Sequence, residues 1–573
     1  MRRLIVLLVS AVLSLVPLSV AVAKTSIATP PLNSCAPDFD KAKNSHSSDV
    51  LILGGTPSGV AAAITAKDAG LKVILLSQDR VVGGAISNGL DATDIGNDLA
   101  VSGYPRYFFG LVSKFYKSRL SWRLEPKVAE KMFSAELLRH GITVKRNVSI
   151  KKVVIQSNQI KSLTTKDGQR YCARTFVDAT YTGDLLALSG IRTHVSDSDL
   201  MSYNEPAAKH PSMSLVAAFK RANRADVSRA FAKNPYIRSY PQLPNPEVIY
   251  KHGMPSMTYR VCVTKVKSNR VAFTKGPHYA VWSPSWKLFM KFYFGKQNPA
   301  FMTVNANGTI LTALWQIARL PNNKYDLNSG RSSFTNVPVP MDYYTQPSYR
   351  NKINVEYAEY LQDFLHFVQN DPNVPIAEKH ALHGFGLCAD EFVDNHNWPY
   401  SPYVRAGQRV VGQKTLTAGD IFNNRLKGDS VAIGSYRLDM KPGLFVYSQG
   451  KLFQDWAVFF KAPVYEIPFG AMLPRKGVRN LITSVSLSAS PLAYSSMRME
   501  VQFMALGEVA GFAAAEAIRE NSPFRDGMYR PVQIELRKVG AIYKIEEICK
   551  MMTHKERVVE HFHPPTCKAH GVY

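Results

Sequence analysis

Asp49-Val50-Leu51-Ile52-Leu53-Gly54-Gly55-Thr56-Pro57-Ser58-Gly59-Val60-Ala61-Ala62-Ala63-Ile64 decides the fold. Val50 to Leu53 form a short apolar run that reads as a strand buried on both faces. A glycine turn follows, and then an alanine-rich run of strong helix formers that ends at Gly70. Val73-Ile74-Leu75-Leu76 is a second buried strand. Strand, glycine turn, helix and strand make a βαβ unit, so the sheet is parallel. The turn gathers backbone N–H groups at a helix N-terminus, where unsatisfied donors and the dipole favour a diphosphate. Gly54 permits the tight turn, and Gly59 lets helix and strand pack closely. Two positions depart from the dinucleotide-binding pattern. Thr56 stands at the middle glycine, and Ser77 replaces the acid that ends the second strand, with Gln78 and Asp79 beside it.

Towards the N-terminus, residues 24–48 are rich in Pro, Ser and Lys without periodicity and read as a linker. Before them, Arg2-Arg3, the apolar stretch from Leu4 to Val22 and Ala21-Val22-Ala23 have the layout of an export signal over residues 1–23. The same stretch is long enough for an uncleaved anchor. Towards the C-terminus, Glu125-Pro126 opens a helix lined by Ala129, Met132, Phe133 and Leu137 and closed by Gly141. From Thr143 to Val177, β-rich runs divided by Ser157-Asn158 and Asp167-Gly168 predict a β-meander. The middle of the chain is richer in Pro, Asn and aromatics, with one clear helix from Val355 to Gln369. Past Tyr465, Asn480 to Thr483 leads into a long Ala/Gly helix from Met497 to Arg519. No stretch after the leader is expected to span a membrane.

The chain has 573 residues, 46% hydrophobic and 20% charged, which is enough apolar material to bury a large core and excludes disorder as its dominant state. Lys+Arg number 70 against 44 Asp+Glu, and this excess is spread along the chain, so nucleic acid is not an expected partner. Six cysteines (Cys35, Cys172, Cys262, Cys388, Cys549 and Cys567) include no CxxC spacing, which argues against an iron–sulfur cluster. Cys549 with Cys567 is the expected disulfide by proximity. The same tail carries His554, His561, His563 and His570, but the irregular spacing gives no expected metal site.

GGTPSGVAAAITAKDAGLKVILL followed by VVGGAISNGLDATD resembles the FAD-dependent oxidoreductases of the glutathione-reductase-like class. More narrowly, it is similar to a bacterial branch whose members carry heterodisulfide-reductase-A-like or "xanthan lyase" names. EPKVAEKMF, FVDATYTGDLLALSG, GLCADEFVDN, WPYSPYVRAGQRVVG, GSYRLD and NLITSVSLSASPLAYSSMRME extend the likeness, in order, over about residues 49–540. The resemblance implies an α/β fold: a Rossmann-like FAD-binding domain with a parallel sheet and β-meander, built from two separated segments, 49–201 and 444–530. An α+β substrate domain, 202–443, is inserted between them, and 531–573 form a C-terminal extension.

It also implies roles. Gly54, Gly55, Thr56, Ser58 and Gly59 would cradle the FAD pyrophosphate, and Ser77 and Gln78 would sit at the adenosine ribose. Gly83 and Gly84 would pass close to the flavin, while Val148 would meet adenine through its backbone. Asp178, Ala179 and Asp184 would cross near the cofactor. Ser488, within Ser486 to Arg498, would approach the isoalloxazine, with the following helix start facing its N1/O2 edge. Pro491 stands where relatives have a histidine, and Lys441 lies near a second such position.

The function expected is an exported oxidoreductase that passes a hydride from a small-molecule or glycan-derived substrate to FAD, with an electron acceptor that the sequence does not name. Arg498, Arg405 and Tyr436 are the catalytic candidates, as binders of an anionic or hydroxylated substrate. Arg498 with Glu500 reads equally as a buried ion pair, and Asp390-Glu391 with Asp394 reads as an acidic surface patch. Two alternatives stay open. One is an exported, non-catalytic binding protein on a degenerate flavoprotein scaffold. The other, weaker, is a polysaccharide lyase, whose base and charge neutraliser no residues here identify.

Overall fold

Strand β1 (Ser45–Leu53) lies at the centre of a mixed sheet, and helix α1 (Pro57–Asp68) leaves its carboxyl end and returns the chain to β2 (Val73–Leu76). This is a computed structural model, and it describes residues 31–195, 203, 205, 214–219, 222–243, 256–294, 299–330, 334–423, 428–441, 445–454 and 458–551. The leader, Cys567 and the tail histidines lie outside these residues. Helix α2 (Pro126–Arg139) starts with its proline in the first turn and buries Ala129, Phe133 and Leu137. Strand β3 (Thr143–Lys145) pairs in parallel with β2. The meander is β4 (Ile150–Gln156), β5 (Gln159–Thr165) and β6 (Arg170–Asp178), with β6 returning in parallel beside β1. Helix α3 (Asp184–Leu188) follows β6.

The segment read as a linker is only partly one. β1 begins at Ser45, ahead of the apolar run, because Ser45 to Ser48 pair with Arg170 to Ala173. Upstream of it, a disulfide joins Cys35 to Cys172 on β6. A second disulfide joins Cys262 to Cys388. Neither pair was expected, because residues more than a hundred positions apart meet only in the folded chain, Cys262 and Cys388 through paired strands. Cys549 is disulfide-bonded as well.

The inserted unit contains a second, antiparallel seven-stranded sheet. Its order is Arg270–Val271, Gly386–Cys388, Val261–Thr264, Lys324–Ser329, Trp315–Arg319, Ile310–Thr312 and Met302–Val304. Helix α4 (Arg350–Asn370) contains the expected stretch, and its Tyr357, Leu361, Phe364 and Val368 are buried in an aromatic core with Trp286. A four-stranded sheet combines Ser214–Ala218 and Ile237–Tyr240 with Phe445–Ser448 and Lys451–Gln454, so this unit's strands continue past residue 443.

The chain then returns to the first sheet. Strand β7 (Leu438–Met440) precedes β8 (Leu481–Thr483), which pairs in parallel with β6. The expected long helix is two: α5 (Pro491–Met497) and α6 (Glu500–Arg519), broken where Met499 is extended. The Arg498 side chain holds that junction by donating to Tyr403 Oη at 2.7 Å and to the Asp439 carbonyl at 2.6 Å. Contrary to expectation, α6 is long and apolar enough to cross a membrane. It is instead a core helix packed along α1, with most of its residues buried.

Candidate functional site

All strands next to β1 in the sheet are parallel to it, so the turns after β1, β2, β6 and β8 emerge on one edge. That carboxyl edge is where an open α/β sheet receives a dinucleotide. The segments 54–59, 77–84, 178–184 and 484–490 meet there, although more than 400 positions separate the first from the last. Ser58 Oγ donates to Ser484 Oγ at 2.8 Å, and Thr56 Oγ1 donates to the Ala179 carbonyl at 2.8 Å. Thr56 also caps α1 by accepting from Gly59 N–H at 3.2 Å. Gly59 must be glycine, since a Cβ there would lie 1.9 Å from the Gly54 carbonyl oxygen. The glycine cradle at the start of α1 suits a diphosphate in its position, although Pro57 has no N–H and Thr56 takes the Gly59 and Val60 donors, so Thr56 would have to yield to the ligand.

In this conformation the rest of the groove is closed by the chain's own groups. Every residue from Gly54 to Gly59 is buried, with Gly55 packed on Ser77. Gly84, at φ +47°, has no space for a side chain because the Tyr181 hydroxyl fills it. That hydroxyl accepts from Ala85 N–H and donates to the Glu500 carboxyl, each at 2.9 Å. Ser77 Oγ donates to the Asp79 carbonyl at 3.0 Å, and its own carbonyl accepts from Val148 N–H at 2.9 Å. The backbone donor expected for adenine is therefore used within the protein.

Gln78 reaches across to the Asp184 carboxylate, which also receives both ends of the Arg350 guanidinium at 2.6 and 2.7 Å. Burial alone would raise the Asp184 carboxyl, but Arg350 outweighs it and holds the group below its ordinary value. Asp79 beside this pair is pushed up to about 6 by burial, and Asp178 likewise reaches about 6 by burial although Leu186 and Thr180 bond to it.

The flavin end is similarly self-satisfied. Ser490 caps α5 and donates to the Glu205 carboxylate at 2.6 Å, and that carboxylate also accepts from Ala418 N–H at 2.7 Å. A carboxylate of the chain itself thus stands at the helix start expected to face the flavin. Ser488 is tied elsewhere: it accepts from Gly412 N–H at 3.0 Å and pairs with Thr415 at 2.9 Å. Ser486, which the sequence reading did not single out, is the buried hydroxyl there with no hydrogen-bond partner, and it lies against Gly183. The space left at α5 is about 10 Å3, lined by Arg409, Asp439, Pro491, Tyr494 and Arg498, which is room for about one water.

On its other side, Asp439 of β7 borders a cavity of about 1090 Å3 between the two units. Asp94, Arg260, Trp315, Tyr436 and Lys441 are among its walls. Of the catalytic candidates, Tyr436 lines this cavity, Arg498 lines the small space behind Asp439, and Arg405 lines neither. Arg405 is deeply buried and donates to the Ser256 carbonyl at 2.6 Å and to Ser329 Oγ at 3.4 Å. Burial and then the neighbouring Arg498 lower it to about 10. Burial likewise lowers Lys441, to about 8, with Arg405 and Arg498 adding to the effect and Asp439 opposing it.

Two further expectations are corrected. Arg498 and Glu500 do not pair with each other: Arg498 turns to Tyr403 and Asp439, and Glu500 to Tyr181. Of Asp390-Glu391 only Asp390 reaches solvent, because Glu391 is buried with Lys324 and Glu125 in an ion cluster that Asp390 borders. Asp394 does lie at the surface, beside Arg80.

The sequence matches the family model described as "FAD dependent oxidoreductase" over residues 49–536. No curated protein sequence matches it significantly. Among solved structures, the flavin-dependent brominase Bmp2 is similar over 86% of this chain and 83% of its own, at 11% identity and a TM-score of 0.35. A flavin-containing monooxygenase from Stenotrophomonas maltophilia is similar over 23% of this chain and 38% of its own, at 19% identity and a TM-score of 0.19. The amino acid oxidase NikD is similar over 26% and 56%, at 17% identity and a TM-score of 0.20. The chain thus spans less than two thirds of the last two, and at these scores the assignment rests on the family match.

Proposed function

This chain belongs to the FAD-dependent oxidoreductase family and its cofactor is FAD; from that premise we propose that it oxidises an organic substrate held in the cavity beside Asp439. Export is part of the reading, carried by the leader-like first 23 residues. The single observation that supports the choice of cavity is Asp439 itself, which borders both the 1090 Å3 space and the start of α5.

FAD, when bound, supplies a two-electron acceptor for hydride transfer. Gly54, Gly55, Thr56, Ser58 and Gly59 would hold its diphosphate. The chain's own residues then bind and orient. Burial raises the Tyr436 hydroxyl well above its ordinary value, so it keeps its proton at neutral pH and, bonded to Asp94, offers its oxygen to a substrate hydroxyl. Arg498 fixes the Asp439 backbone and Tyr403, which keeps the wall between cavity and groove rigid.

The test is a visible spectrum of purified protein before and after incubation with FAD, followed by anaerobic bleaching with a substrate panel. Flavin absorbance that bleaches with an organic substrate supports the reading. Protein that stays colourless and takes up no FAD overturns it and leaves the non-catalytic binding protein, a reading favoured by the Glu205 and Arg350 contacts that close the groove.

A further inference from the structure

Buried positive charge is expensive unless it is paired, and the wall at Asp439 holds more of it than the chain neutralises. Arg405, Arg498 and Lys441 converge there. Among the described residues they share one carboxylate: Asp439 lies 3.6 Å from Lys441 and 3.9 Å from Arg498, and Arg405 contacts only neutral oxygens. Asp94, on the cavity wall, is the other acid near this group, which leaves three largely buried cations against two carboxylates. Arg437 adds an exposed cation to the same wall. By contrast, Arg260 in the cavity is matched by the fork it makes with Asp326.

The rest of the lining is of two kinds. Amides and hydroxyls such as Asn307, Gln316, Asn328 and Ser121 offer both donors and acceptors. Aromatic faces, including Trp122 and the exposed Phe301 and Phe459, flank them. Paired amides and flat apolar faces suit a ring that carries hydroxyls on its edge and C–H groups on its faces. At about 1090 Å3 the space is at the upper end of ordinary ligand pockets, roughly 300–1,000 Å3, and exceeds what one such ring fills.

We propose that the cavity binds a hydroxylated organic carboxylate of more than one ring, an acidic oligosaccharide, with a carboxylate received by Lys441 and Arg437 and backed by Arg498. In calling this ligand the substrate the inference rests on the function proposed above, but binding does not require flavin.

The purified full chain would be titrated with trigalacturonate and with the neutral maltotriose, read by calorimetry and by the fluorescence of Trp122 and Trp315 in the cavity wall. Trigalacturonate is expected to bind at least tenfold more tightly, with affinity falling as salt rises. Lys441→Gln and Arg437→Gln are each expected to remove most of that preference while maltotriose binding stays unchanged, and circular dichroism would show that both fold. Equal affinity for the two sugars, no binding of either, or an unchanged preference in folded Lys441→Gln and Arg437→Gln each overturns the proposal. Flavin bleaching in the same preparations is scored separately, so a protein that is reduced by a neutral substrate sinks the ligand class and leaves the oxidoreductase reading standing.

Discussion

Glu500 provides a test of the closed groove that needs no ligand. Its carboxyl is 1% exposed, and burial holds it up to about 8 although the Tyr181 hydroxyl donates to it. In the unfolded chain the group returns to 4.5. A carboxyl raised on folding stabilises most below its unfolded value, and that contribution is lost as pH rises towards the folded value. At about 1.36 kcal/mol per pH unit, folding with a protonated Glu500 costs under about 1 kcal/mol at pH 5 and about 4 kcal/mol at pH 8. Glu500→Gln removes this cost, because the amide is neutral in both states and its oxygen still accepts from Tyr181. Other raised carboxyls, Glu508 and Glu378 at about 7, titrate in both proteins and cancel in the difference. Calorimetric melts are expected to show the variant matching wild type at pH 5 and melting higher at pH 8, by on the order of 5 °C. An equal shift at both pH values, or a variant less stable at pH 8, refutes the account of Glu500 as a buried neutral acid.

The Gly59→Ala variant, whose Cβ would meet the Gly54 oxygen at 1.9 Å, is expected to lose several degrees in its melt or to be recovered insoluble. Peptide mapping under non-reducing conditions is expected to yield Cys35–Cys172 and Cys262–Cys388 linked fragments, and replacing the second pair by serine to cost about 2–5 kcal/mol by denaturant unfolding. Lys324→Met leaves Glu125 and Glu391 buried without their cation and is expected to cost about 3–5 kcal/mol near neutrality, with partial recovery in acid as the carboxyls protonate. Arg350→Met removes the clamp on Asp184 at the adenosine end and is expected to speed FAD uptake several-fold in stopped-flow flavin fluorescence; an unchanged rate would show that this contact does not limit entry.

The βαβ unit was legible because its signals are local. An apolar run, a glycine turn and an alanine-rich helix each follow from neighbouring residues, and α1 and β2 appear where expected. Helix α4 was legible for the same reason, through its periodic buried face. What the sequence hid depends on meetings between remote residues. The polar start of β1 is a strand only because β6 lies beside it. The break between α5 and α6 has no proline or glycine at Arg498-Met499 to announce it, and is held by Tyr403 and Asp439 from elsewhere. Glu391 read as a surface residue because Lys324, 67 positions away, is what allows it to be buried, with Asp390 half-exposed beside them. The site divides in the same way: the cradle around Gly59 was local, whereas the tie from Gln78 to Asp184 and the tie from Ser490 to Glu205 were not.

Those remote contacts share an origin. Arg350 closes the adenosine end from α4, Glu205 stands at the α5 start, and Tyr403 packs with Tyr181 beside Ala85. None of the three belongs to the segments that build the parallel sheet; all come from residues between its two halves. The nucleotide-binding segments supply the glycine cradle and, through Tyr181 and Ser77, part of what closes it; the intervening chain supplies the rest. Tyr403 in turn accepts from Arg498, whose side chain also holds the Asp439 carbonyl behind the cavity wall.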